Sequence, residues 1–149
     1  YFIDKSNKDK TPITNKKLQK LVYYAQAWSL VLNKQALFED KIEAWVHGPA
    51  IRSLYIQFKE FGFNPIKKDV DKSLLNNLSA KHKKILDSVW SVYGGFDASY
   101  LEMLTHSEAP WKEAREGLSN SENSENEITP KKMKAFYSKK LELAKKQNV

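Results

Sequence analysis

The sequence predicts a mainly α fold, a single compact multi-helix domain with a small two-stranded β element. Three observations lead there. Apolar residues recur at helical spacing in four separate stretches. Capping residues stand just ahead of most of them, and only Ile42–Val46 alternates as a strand does. With 149 residues, 41% of them hydrophobic, the chain has the size of one ordinary domain and enough apolar material for a core.

Residues 1–8 read as the end of a helix. Thr14 is placed to cap the next one, whose stripe is Leu18, Leu21, Val22, Ala25, Ser29 and Leu32. Lys16, Lys17 and Lys20 fall beside that stripe and are expected in solvent. After the Ile42–Val46 segment comes His47-Gly48-Pro49. Glycine there suits φ > 0 or a close backbone approach. Proline suits a first helical turn, because its missing N–H would be an orphan there anyway. A helix opening at Pro49 is therefore expected, with Ile51, Leu54, Tyr55, Phe58 and Phe61 on one face and Gly62 as its stop. The stretch FNPIKKDV reads as extended and is expected to pair with Ile42–Val46 as a two-stranded ribbon.

Ser79 caps a helix carrying Ile85, Leu86, Val89, Trp90 and Tyr93, stopped by Gly94-Gly95. Asp97 caps a shorter one with Leu101 and Leu104, and Pro110 opens a further turn or two through Arg115. LSNSENSENE is polar and low in complexity, hence a loop. Thr129-Pro130 starts a final helix with Met133, Phe136, Tyr137, Leu141 and Ala144 along one side. The expected organisation is a core over residues 1–118, a polar loop over 119–128 and a C-terminal helix over 129–149 packing on the core.

Charge is uneven. Lys+Arg minus Asp+Glu gives +4 for residues 1–20, 0 for 21–65, +4 for 66–84, −7 for 85–128 and +6 for 129–149, net +7. All but two of the basic residues are lysine, which suits diffuse solvation better than bidentate reading of bases. A helix-turn-helix over residues 78–115 would place its recognition helices in the acidic third, facing phosphates with Asp97, Glu102 and Glu108. That is electrostatically poor. Core packing of short helices is the better account, and the acids of Asp97–Glu116, Glu102, Glu108 and Glu113 among them, are read either as solvating those helices or as steering a basic toxin.

Catalytic signatures are sparse. Cysteine is absent, removing disulfides and thiolate chemistry. His47, His82 and His106 lack the tight spacing to other ligands that common metal motifs use. There is no glycine-rich phosphate loop and no nucleophile elbow. No run reaches the length of a membrane span. No secretory signal is present, and the first residue is Tyr1 rather than methionine, which leaves room for an upstream piece. The expectation is a cytoplasmic protein with no enzyme activity, no metal and no cofactor. The competing reading is a hydrolase or ligand pocket built on His47 and His106.

Three motifs in order go further. Ile13–Leu30 carries Thr14, Leu18, Lys20, Leu21, Tyr23 and Tyr24. Ile42–Gly62 carries Ala44-Trp45, Gly48-Pro49 and Tyr55. Leu104–Arg115 carries Leu104-Thr105-His106, Pro110-Trp111 and Ala114-Arg115. Together they resemble the Panacea domain, the SocA-like antitoxin family, over roughly residues 1–116.

The resemblance implies an antitoxin module of bacteria, phages and mobile elements that neutralises a toxin, commonly encoded beside it, by direct protein–protein binding. Alternatives are a proteolytic adaptor that delivers the toxin to a Clp-type protease, or a nucleic-acid-binding module using the lysine-rich helices. A membrane is not an expected partner. The family pattern points to Tyr23, Trp45, His47, Tyr55, Thr105, His106 and Trp111 as toxin-binding residues or the lining of a shared pocket. Ala44, Gly48 and Pro49 are read as a structural corner.

Overall fold

In the computed structural model, which describes residues 1–148, the chain winds around one central helix. The elements in order are α1 (Phe2–Asp9), α2 (Asn15–Leu32), β1 (Ile42–Trp45), β2 (Gly48–Ala50), α3 (Arg52–Gln57), α4 (Lys72–Leu75), α5 (Ala80–Tyr93), α6 (Ala98–Ser107), α7 (Ala109–Ala114), β3 (Glu127–Ile128) and α8 (Pro130–Gln147). A 3-10 turn, Lys59–Phe61, follows α3. The fold is mainly α with a small β element.

The helix starts follow from their caps. Thr14 accepts a hydrogen bond from the Lys17 amide at 3.1 Å, Ser79 from His82 at 3.1 Å, Asp97 from Tyr100 at 2.8 Å and Thr129 from Lys132 at 3.2 Å. Each satisfies an amide that has no partner within its helix. Asp71 does the same for Ser73 at 2.9 Å, opening the one-turn α4.

α2 is buried on nearly all sides, with α8, α5, α6 and β2 packed around it. Leu18, Leu21, Ala25, Leu30 and Val31 supply apolar surface. Polar residues on the same helix reach out to satisfy its neighbours. Gln19 accepts from the Ile51 amide at 2.8 Å, and Asn15 donates to the Tyr55 carbonyl at 3.0 Å. Lys17 donates to the Gly94 carbonyl at 2.6 Å. That last bond places an ammonium on the C-terminus of α5, where the helix dipole favours a cation. Lys17 and Lys20 are thus buried, correcting the expectation that they lie in solvent, while Lys16 stays part-exposed.

The β element also differs from expectation. β1 is the middle strand of three, pairing antiparallel with β2 and with β3 in the order β2-β1-β3. The corner is a hairpin: Trp45 faces Gly48 across the two-residue turn Val46-His47. Pro49 sits in edge strand β2 opposite Ala44, a position that needs no ladder donor, and the helix opens only at Arg52. The tight turn closes this pairing at far lower entropic cost than a partner twenty residues away. FNPIKKDV is accordingly not a strand. It contributes Ile66, whose amide donates to the Ile13 carbonyl at 2.8 Å and whose side chain is buried. The third strand comes from the end of the polar loop, where Ile128 pairs with Ile42.

Among the described residues no helix is long and apolar enough to cross a membrane.

Candidate functional site

The hairpin lies against the N-terminal half of α2, and the two meet at Gly48. Its φ is +110°, and a Cβ there would stand 2.4 Å from Lys20 Cε and 3.1 Å from Thr105 Oγ1. Position 48 therefore demands glycine twice, for its backbone angle and for its space. Lys20 passes beneath the turn and donates from Nζ to the Pro49 carbonyl at 3.2 Å. Only 2% of the residue is exposed. Burial pulls its pKa down to about 7, Lys16 adds to the depression and Glu102 opposes it.

Above Lys20 opens a cleft of about 260 Å³. Its walls include Trp45 and Tyr55, whose rings meet edge to face with centroids 5.2 Å apart. Phe63 stands at its mouth, 95% exposed. Arg52 lies over the Trp45 ring at 5.2 Å and is held by Glu43 at 3.1 Å and Glu125 at 2.7 Å. His47 caps the turn and, although exposed, meets Glu102 Oε1 through Nδ1 at 2.8 Å; Lys16 reaches the same oxygen at 3.0 Å. Burial acts to raise the Glu102 pKa, but the hydrogen bonds from Lys16 and His47 outweigh it and the carboxylate stays below its ordinary value.

Behind β1 a second set of residues grips the hairpin. Trp111 donates from Nε1 to the Trp45 carbonyl at 2.8 Å. Arg115 donates to the Ala44 carbonyl at 2.9 Å and to the Ser119 carbonyl at 3.1 Å, and also bonds the Glu122 carbonyl. Its guanidinium lies 4.9 Å from the Trp111 ring centroid. His106 stacks on the same Trp111 ring, with centroids 3.8 Å apart and planes within 13°. Its Nε2 is buried without a partner among the described residues. Burial lowers the His106 pKa, with Glu102 opposing and Lys20 and Arg115 reinforcing, so the ring is neutral near pH 7.

Of the residues singled out in the sequence, Trp45, His47 and Tyr55 line the cleft with Gly48. Thr105 stands beside Gly48, and Trp111, with His106 stacked on it, bonds the Trp45 carbonyl outside the cleft. Tyr23 belongs elsewhere. Its hydroxyl meets that of Tyr137 at 3.0 Å, and Tyr137 and Tyr24 both donate to Glu108 Oε1, at 2.9 and 2.7 Å. Lys140 pairs with the other Glu108 oxygen at 2.7 Å. Tyr24 also stacks flat on Tyr93, centroids 4.0 Å apart. This network is core, and it fastens α8 to α2.

Glu108 is therefore 5% exposed, Glu102 is paired, and Glu113 meets Lys132 at 3.3 Å. Of the acids expected to steer a partner, these three are engaged within the chain, while Asp97 and Glu116 stay exposed. His47 and His106 point to different neighbours, one to a carboxylate and one to an indole, so no hydrolytic pair forms between them. What sequence reasoning missed is Lys20 as a buried charge, Phe63, and the placement of Arg52 over Trp45. Lys20 stood within a quoted motif, but its burial had no signal in periodicity.

No curated protein and no solved structure is similar enough to the chain to be matched. A family model does match: that described as antitoxin SocA-like, Panacea domain, over residues 18–112 of the 149. The matched span runs from within α2 into α7 and takes in the hairpin, the cleft except for Asn15 and Lys16, and the Trp111 contact behind it. The chain belongs to the SocA-like antitoxin family of Panacea domains.

Proposed function

We propose that this antitoxin neutralises a cognate toxin by direct protein–protein binding, through the aromatic surface around the corner cleft. The observation that carries this reading is Phe63, 95% exposed beside the Trp45–Tyr55–Arg52 cluster. Leaving a phenylalanine in water forgoes about 2 kcal/mol of burial, which a partner covering it would recover. Trp, Tyr and Arg are the residue types on which interface energy concentrates. Glu43 and Glu125 hold Arg52 in place over Trp45, so little side-chain freedom remains to be lost on docking.

In this reading Trp45, His47 and Tyr55 contact the toxin. Thr105, His106 and Trp111 support them from behind, and Tyr23 serves the core. Residues 1–118 form the binding unit, the 119–128 loop is clamped to it by Arg115, and the final helix braces α2. The role, in the cytoplasm, is one of binding rather than catalysis, and the toxin is encoded by an adjacent gene, as suits a phage or mobile element.

Co-expression with the product of the neighbouring gene tests this. The chain should restore growth, and Phe63→Ser with Tyr55→Ala should lose rescue while keeping the melting temperature. A neighbour whose toxicity is never relieved, or full rescue by the double variant, counts against it. Repeating the assay in a host lacking Clp protease separates masking, which persists, from delivery to the protease, which does not.

A further inference from the structure

We propose that the corner cleft is a carboxylate receptor, taking an acidic group presented by the toxin, with Lys20 as the receiving charge and Trp45, Tyr55 and Phe63 as its walls. This rests on the direct-binding reading and gives that surface its chemistry.

The geometry begins with an incomplete coordination. A lysine ammonium carries three donors, and buried cations are found paired with anions or fully hydrogen-bonded. Lys20 is 2% exposed and its Nζ has one acceptor among the described residues, the Pro49 carbonyl at 3.2 Å. It lies in the floor of the 260 Å³ cleft, so an acceptor arriving from solvent has a path to it. The surroundings favour an anion. Lys16 and Lys59 line the same cleft, while Glu102, the facing carboxylate, is already engaged by Lys16 and His47. His106, the remaining titratable neighbour on α6, is neutral near pH 7. The walls are mostly apolar and would exclude water from the pair, strengthening it. The volume suits one side chain or a chain terminus rather than a nucleotide.

A bound carboxylate would favour protonated Lys20. Because burial, reinforced by Lys16, leaves that amine titrating near pH 7, binding takes up a proton at neutral pH, and affinity falls as pH rises above 7.

The test uses the whole chain labelled with ε-13C lysine, and 3-phenylpropanoate as probe, with 3-phenylpropan-1-ol as its neutral match. The acid should move the Lys20 titration upward by about one pH unit or more, the shift a tenfold preference for the protonated form produces. The alcohol should leave it in place. Direct observation of the Lys20 resonance keeps other titrating groups out of the reading. Lys20→Met should bind the acid at least tenfold more weakly; should that variant not fold, the wild-type resonance decides alone. With the toxin, Lys20→Met should weaken the complex about tenfold and flatten its pH dependence. Equal responses to acid and alcohol, an unmoved Lys20 resonance, or a toxin complex indifferent to Lys20→Met overturns the proposal. If no toxin complex forms at all, the direct-binding reading falls, and the probe experiment still decides the cleft.

Discussion

Lys20 occupies the space that a side chain at Gly48 would need: a Cβ there would stand 2.4 Å from Lys20 Cε. One helix residue and one turn residue thus specify each other. The missing side chain lets the lysine stem pass under the hairpin, and its Nζ ties down the edge strand through the Pro49 carbonyl.

Gly48→Ala should destabilise the fold by about 1–3 kcal/mol, combining a positive φ with the clash. For a chain of this size that is a melting-temperature loss of about 2–12 °C. Adding Lys20→Ala should return part of it, because the clash goes and the backbone strain stays. A Gly48→Ala protein that melts with the wild type removes the conformational argument.

Stability should rise with pH from about 7 to about 10. Burial first, then Lys16, lowers the Lys20 pKa from 10.5 to about 7. In that window the unfolded chain holds a proton that the folded chain has shed, and stability increases with pH wherever the unfolded state binds more protons. The slope is at most about 1.4 kcal/mol per pH unit from this group, with Lys17 lowered by burial in the same direction. Above pH 10 the sign reverses. Burial drives Tyr93 up to about 12, and Tyr23, Tyr24 and Tyr137 higher, from an ordinary 10, so unfolding then releases protons. Urea midpoints measured from pH 6.5 to 11 should trace a rise and a fall, and Lys20→Met should flatten the rise. A wild-type midpoint constant between pH 7 and 10 contradicts this account.

What was legible in the sequence was local chemistry. Thr14, Ser79, Asp97 and Thr129 could be read as caps because a cap needs only its own helix. Gly48 could be read as special because few other residues survive where it sits. Pro49 could not be settled locally, since a proline suits both a first helical turn and an edge strand; pairing with Ala44 decided it. β3 was hidden because two residues at the end of a polar loop carry no periodicity, and only Ile42 across from Ile128 makes them a strand. Depth was the hardest to see. Lys17, Lys20 and Glu108 look like solvated charges in any count along the chain, yet each is buried against a partner contributed by a distant segment. The candidate site divided on the same line, with Trp45, His47 and Tyr55 adjacent in the hairpin region and Tyr23 a turn further along α2, on the core side.

Glu108→Ala should cost about 2–4 kcal/mol, because it leaves the hydroxyls of Tyr24 and Tyr137 buried without their acceptor and Lys140 without its partner. Hydrogen exchange should speed up along α8, which this network fastens to α2. Glu108→Gln, which keeps one acceptor oxygen, should lose less. Equal stability of the alanine variant and the wild type would show that the network adds nothing to the packing of the rings.

The clamp behind the hairpin supplies the last prediction. Arg115 spreads its donors over the carbonyls of Ala44, Ser119 and Glu122 while lying on the Trp111 ring. A lysine has the charge without the planar fork, so it can reach one of these carbonyls and not all three. Arg115→Lys should therefore destabilise by about 1–2 kcal/mol through the acceptors it abandons. The larger effect should be positional. Ala44 and Trp45 are held from behind by Arg115 and Trp111, and the Trp45 ring forms a wall of the cleft. Freeing one of the two anchors should raise hydrogen exchange in residues 116–126 and weaken the toxin complex more than the stability loss alone accounts for. Trp111→Phe, which removes the other anchor and keeps an aromatic ring under His106, should do the same to the complex while sparing the loop. If both variants bind toxin as the wild type does, the placement of Trp45 does not matter to recognition, and the aromatic surface proposed for the toxin must be reassigned.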